Sequence, residues 1–181
     1  MSADEPTRYH STQIETFADT AADMVSAITM TYADEAIGVA SAAAAAGMPV
    51  AIHFTVETDG RLPSSESLGD AIAAVVNATD DAPAYFGINC AHPTHFEDAL
   101  ETIGEWRERL RSLRANASAR SHAELDEATE LDDGDPADLA ARYAGLRALL
   151  PNLNVVGGCC GTDHRHVGAI CDAWLAPRRS S

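Results

Sequence analysis

Apolar and polar positions change period repeatedly along this chain, and each change marks an element. From His10 to Ala22, apolar or small residues fall at Ile14, Phe17, Ala18, Ala21 and Ala22, the spacing of one helix face. Met24-Val25-Ser26-Ala27-Ile28-Thr29-Met30 reads as a buried strand. Asp34 to Ala46 is an alanine-rich helix stopped by Gly47, with Pro49 just beyond. Pro49 to Val56 predicts the next strand, and Glu57 to Pro63 a loop turning at Asp59-Gly60. A helix capped near Ser67 runs to Asn77, and Tyr85 to Asn89 is the third strand, followed by a loop from Ala91 to His95.

The spacing predicts one long helix from Phe96 to Leu113, with Arg107, Arg109, Arg111 and Arg114 near its C-terminus, where cations suit the macrodipole. Residues 115–135 are polar and acidic and are expected as loop. Asp135-Pro136 has the form of an N-cap followed by an N1 proline, opening a helix to Leu150. Asn154 to Gly157 is the fourth strand, and a helix capped by Asp163 runs to Leu175.

Four strands separated by helices predict an α/β fold built of parallel (β/α) units. Every residue with candidate chemistry lies just past the C-terminal end of a strand, the catalytic face if the units belong to a (β/α) barrel. Four units are half of a barrel of eight.

Composition narrows the partners. The 181 residues suffice for one domain with a real core, and 46% hydrophobic against 22% charged is a globular balance. The net charge of −16 argues against nucleic acid or an anionic membrane, since both need a basic surface. Every basic residue is Arg, which fits a biased base composition. Four cysteines with no apolar leader do not make a disulfide framework, so a reducing cytoplasm with free thiols is the expectation.

Those thiols carry the chemistry. Val155-Val156-Gly157-Gly158-Cys159-Cys160-Gly161-Thr162 frames two adjacent cysteines with glycines after an apolar run. Ala84-Tyr85-Phe86-Gly87-Ile88-Asn89-Cys90 ends on a third. Side chains alternate on a regular strand, so Cys159 and Cys160 can face one point only if the backbone turns, which the glycines permit. Three thiolates around Zn²⁺ would leave one tetrahedral position for a substrate thiol, which the metal would hold as a nucleophilic thiolate. Two other readings stay open: Cys159-Cys160 as a vicinal disulfide or redox pair, and Cys90 as a small buried apolar residue. Cys171, inside the last helix, is expected to pack in the core. His92, His95, His164 and His166 are candidates for a fourth ligand or a proton carrier, while His10 and His53 have no evident partner.

At these residues the chain resembles the homocysteine S-methyltransferase family. The matching pieces are Gly87-Ile88-Asn89-Cys90 and Gly157-Gly158-Cys159-Cys160-Gly161-Thr162, with the Tyr9-His10…Gln13 opening and the Asp34-Glu35-Ala36 helix start in support. The resemblance covers nearly all of the chain and implies the C-terminal half of a TIM-type (β/α)8 barrel. It implies zinc held by Cys90, Cys159 and Cys160, with homocysteine bound as thiolate and methylated to methionine by a sulfonium, ammonium or folate donor. Asn89 would help shape the substrate pocket. Many family members carry Glu-Thr where this chain has Ile28-Thr29, so Glu57 at the next strand end is the candidate to hold the substrate ammonium group. A non-catalytic zinc- or thiol-binding half-barrel, acting as subunit or regulator, is the alternative. Strands such as Val50 to Val56 suggest an apolar inner face, so a second copy or a companion chain is expected to supply the rest of the barrel.

Overall fold

The computed structural model describes residues 3–176. In chain order the elements are α1 Asp4–Ala18, β1 Val25–Met30, α2 Ala33–Ala45, β2 Val50–Phe54, α3 Leu68–Thr79, β3 Tyr85–Asn89 and α4 Glu97–Thr102. They continue with β4 Leu110–Ala115, α5 His122–Asp126, α6 Pro136–Leu146, β5 Val155–Gly158 and α7 His164–Leu175. Short 3₁₀ turns at Pro93–His95 and Gly104–Arg109 flank α4.

All five strands are parallel and their spatial order is their chain order. A doubly wound sheet reverses order at a switch point; an unreversed order is that of a barrel wall. Helices pack side by side along that wall, α1 on α2, α2 on α3 and α6 on α7. The fold is therefore a parallel α/β partial barrel with β1 and β5 as its edges.

Strand register separates the two faces. Toward the helices point Ile52, Phe54, Phe86, Ile88 and Leu113, all fully buried, against Val39, Ile72 and Leu139 of the helices. The opposite, inner face carries Ser26, His53, Gly87, Asn89, Ser112 and Arg114. The expected apolar inner face is thus not what forms: the apolar alternate residues went to the helices, leaving small and polar ones inside. Ile28, half exposed on the edge strand, is the main apolar exception.

The largest departure from the sequence reading is β4. The long helix expected from Phe96 to Leu113 breaks after Thr102, where Gly104 takes φ +68°, a value that ends helices. Leu110–Ala115 then pairs with β3 and β5, so the strands number five rather than four. Arg111 and Arg114 are not last-turn helix residues but the exposed positions of a strand that buries Leu110, Ser112, Leu113 and Ala115. The segment 115–135 contains a helix, α5, nucleated by a capping box in which Ser121 and Glu124 satisfy each other's backbone N–H groups. The first helix begins at Asp4 and ends at Ala18, earlier than expected at both ends. The helix from Pro136 stops at Leu146 rather than Leu150. Ser67, Asp135 and Asp163 cap helices as anticipated. Cys171 is exposed on α7 and does not pack in the core, because Ile170 beside it takes the buried position. Among the described residues, no helix is long and apolar enough to cross a membrane.

Candidate metal centre

Three strand ends build the site. β3 ends at Asn89, and Cys90 follows with φ +57°, a left-handed turn that swings its side chain off the strand axis. β5 ends at Gly158, and Cys159 and Cys160 follow. The turn that brings both thiols to one side closes on itself: the Thr162 hydroxyl donates to the Cys159 carbonyl at 2.7 Å and packs onto Gly158. A Cβ on Gly158 would lie 2.1 Å from Thr162 Oγ1, so the cage needs glycine there.

β4 lies between the two and locks them together. Cys90 N–H donates to the Arg114 carbonyl at 3.1 Å and Cys159 N–H to the Ala115 carbonyl at 2.8 Å. Asn116, just past β4, is the pivot: its Nδ2 donates to the Cys90 carbonyl at 3.0 Å and its Oδ1 accepts from Cys160 N–H at 3.1 Å. Tyr143 of α6, fully buried, accepts from Ala115 N–H at 2.9 Å and donates to the Gly157 carbonyl at 2.6 Å. Asn89 reaches the other way, accepting from Thr29 N–H at 2.7 Å and donating to Thr29 Oγ1 at 2.8 Å. Thr29 is itself left-handed at φ +60°, unusual for a β-branched residue, and the Asn89 carboxamide offsets that strain.

The result is a thiol trio. Cys90 Sγ is 3.5 Å from Cys160 Sγ, Cys159 Sγ is 4.0 Å from Cys160 Sγ, and all three sulfurs lie within 4.8 Å of one another. All three are free thiols, half-buried or exposed. Tetrahedral zinc with Zn–S near ~2.3 Å puts its sulfurs about 3.8 Å apart, so the trio fits a thiolate-bound metal with little rearrangement. Without metal the trio shares its protons: the hydrogen bond from Cys90 pulls the Cys159 thiol down to about 5, and the same bond with burial pushes Cys90 up. A groove of about 350 Å³ opens beside Cys160, lined by Leu125 and Leu131 among others.

The histidine beside the thiols is His122, on α5, within the segment expected as plain loop. Its Nε2 lies 2.6 Å from the Cys90 carbonyl and its Nδ1 3.2 Å from Glu57 Oε1. Burial lowers its pKa, but the bonds to Cys90 and Glu57 outweigh that and hold it above the ordinary value. Glu57 therefore stands at the rim of the thiol site with His122 as its partner. The four histidines singled out from the sequence do not join the sulfur group. His92 bonds Thr94, His95 reaches the Ala119 carbonyl, and buried His166 ties Asp163 to the Asp133 carbonyl. His164 is the first residue of α7. His10 and His53 do have partners, Glu35 at 3.3 Å and Ser26 at 3.2 Å. Asn116, His122 and Tyr143 had no signal in the sequence. Only the Ser121…Glu124 capping box could have placed His122 on a short helix.

A partial parallel barrel whose strand ends converge three thiols defines a class of protein, and comparison with known proteins gives it a family. The family model for homocysteine S-methyltransferase matches residues 1–174, and the chain belongs to that family. It is 32% identical over 127 residues to methionine synthase of Mycobacterium leprae, covering 70% of this chain and 10% of that protein. It is 28% identical over 184 aligned positions to betaine–homocysteine S-methyltransferase 1 of Rattus norvegicus, covering 92% of this chain and 43% of that protein. The fold matches the apo crystal structure of the homocysteine methyltransferase MmuM from Escherichia coli with a TM-score of 0.72 and 19% identity, over 96% of this chain and 58% of that one. The chain thus spans less than two thirds of the length of each.

Proposed function

We propose that this chain transfers a methyl group to the thiol of homocysteine, giving methionine, with zinc held by Cys90, Cys159 and Cys160. The observation that carries the reading is the convergence of three sulfurs from two strand ends at metal-binding separations. Bound zinc supplies Lewis acidity that keeps a substrate thiol deprotonated at neutral pH. The chain's own residues supply the rest. Asn116 fixes the backbone of the cysteine turns and Asn89 that of the neighbouring Thr29 turn, so the trio is set before substrate arrives. Glu57 receives the substrate ammonium group, oriented by His122. The thiolate sulfur attacks the donor's methyl carbon, the donor's bond to that carbon breaks, and its electron pair leaves with the donor. The groove beside Cys160 is where we place the donor.

The reading extends to assembly. Among the described residues β1 and β5 are the unpaired edges of the sheet, and no further strand faces its inner side. A second copy or a companion chain supplies a second wall, in a cytoplasmic setting that keeps the thiols reduced. The test is a methionine-formation assay on zinc-loaded protein, across a concentration series followed by ultracentrifugation. Activity that rises with association is the expected result. Stoichiometric zinc and bound homocysteine without turnover under any condition would instead make the chain a non-catalytic zinc-binding subunit.

A further inference from the structure

The sheet is free of acid. The chain has 28 Asp and Glu against 12 Arg, yet none of the five strands contains a carboxylate. The charges on strands are Arg111 and Arg114, at opposite ends of β4. Arg114 is at the thiol end and on the inner face, in register with Asn89 on one side and Gly157 on the other. Its carbonyl accepts from Cys90 N–H, so its backbone is tied to the turn that carries the first thiol. Its guanidinium has no ion pair or hydrogen bond among the described residues, whereas Arg109, Arg120, Arg142 and Arg165 each pair with Asp or Glu. Burial, and in smaller part that positive charge, lower the His53 imidazole to about 4.

A second observation stands beside it. Ser112 Oγ and His53 Nε2 are buried without a hydrogen-bond partner. Both flank Gly87, one step below Arg114: a Cβ on Gly87 would be 2.8 Å from His53 Nε2 and 2.8 Å from Ser112 Cβ. Buried hydroxyls are nearly always paired, and an orphan costs free energy that a ligand can return. On Gly157's side the space is open, with nothing within 4 Å of where a Cβ would be.

The geometry points to an anion subsite on the inner face, in which Arg114 and the Ser112 hydroxyl receive the carboxylate of the thiol substrate whose sulfur sits among Cys90, Cys159 and Cys160. Two strand residues span about 6.6 Å, a distance that the carbon chain of homocysteine and a long Arg side chain bridge together. Arginine suits the task because its planar fork binds a carboxylate through two parallel hydrogen bonds. This rests on the methyltransferase reading above and makes it more specific: the acid group is read on the inner face, and the ammonium at the rim.

Calorimetric titration of the zinc-loaded chain with three thiols tests it: homocysteine, its deaminated analogue mercaptobutanoate, and its decarboxylated analogue aminopropanethiol. Arg114→Gln should weaken homocysteine and mercaptobutanoate by about tenfold or more while leaving aminopropanethiol and zinc content unchanged. Arg114→Lys should recover part of the loss, and Ser112→Ala should show a smaller loss with the same selectivity. Equal weakening of all three thiols, or of none, overturns the subsite. So does a variant whose only defect is a raised KM for a carboxylate-bearing methyl donor, since the anion read would then be the donor's. Carboxylate discrimination without methyl transfer in the wild type would sink the methyltransferase reading and leave the subsite standing. Methyl transfer without discrimination would do the reverse.

Discussion

The two faces of this sheet are built from alternate residues of the same strands, and they do opposite things. The face toward the helices is Ile52, Phe54, Phe86, Ile88 and Leu113, buried and close-packed. The inner face is Ser26, His53, Gly87, Asn89, Ser112 and Arg114, small or polar and with two orphaned polar atoms. One face holds the wall together through apolar burial; the other holds hydrogen-bonding capacity in reserve. The candidate site lies where the polar face meets the strand ends. There the backbone leaves strand geometry, at Thr29 and Cys90, and hydrogen bonds replace packing as the source of order.

That contrast can be broken experimentally, starting with its strongest point. Cys160→Ala removes the sulfur that approaches both others, and zinc occupancy measured by elemental analysis should collapse with little loss of fold. The same result is expected for Cys90→Ala; full zinc in that variant would show that the trio does not act as one site. Phe86→Ala, on the helix-facing side, should cost about 3–5 kcal/mol in urea unfolding, against well under that for Ser112→Ala on the inner face. Equal costs would mean that the two faces do not differ as described.

Asn116→Ala tests the strand-end region between these extremes. It leaves the three sulfurs in place but removes the bonds to the Cys90 carbonyl and Cys160 N–H, so zinc affinity should fall by about 10–100-fold. An unchanged affinity in a competitive chelator titration would show that the cysteine turns hold themselves.

The smallest effect is a pH dependence of stability. Burial depresses His53 and His92 to about 4. Between 6.5 and that value the unfolded chain binds protons that the folded chain refuses, so stability is fully present above pH 6.5 and falls as pH drops toward 4. Urea midpoints at pH 7 and pH 5 should differ in that direction, and His53→Gln should shrink the difference. A midpoint difference untouched by His53→Gln would remove the inner face from the account.

Much of this was readable along the chain. The strand–helix alternation, the caps at Ser67, Asp135 and Asp163, and the glycine-framed cysteines are local signals, set by propensity and backbone permission within a few residues. β4 was not readable. Leu-Arg-Ser-Leu-Arg-Ala has a helix-like density of arginine and leucine, and only pairing on both edges with β3 and β5 makes it a strand. Because β4 was missed, so was everything it positions: Asn116 between the two cysteine turns, Arg114 tied to the first of them, and the register that turns polar residues inward. His122 reaches Cys90 across 32 residues and Glu57 across 65. Contacts of that length follow from which strands lie side by side, and strand neighbourhood is decided by the packed sheet. The sequence by itself determined that three thiols stand at strand ends; the tertiary structure decided that they meet, and what stands around them.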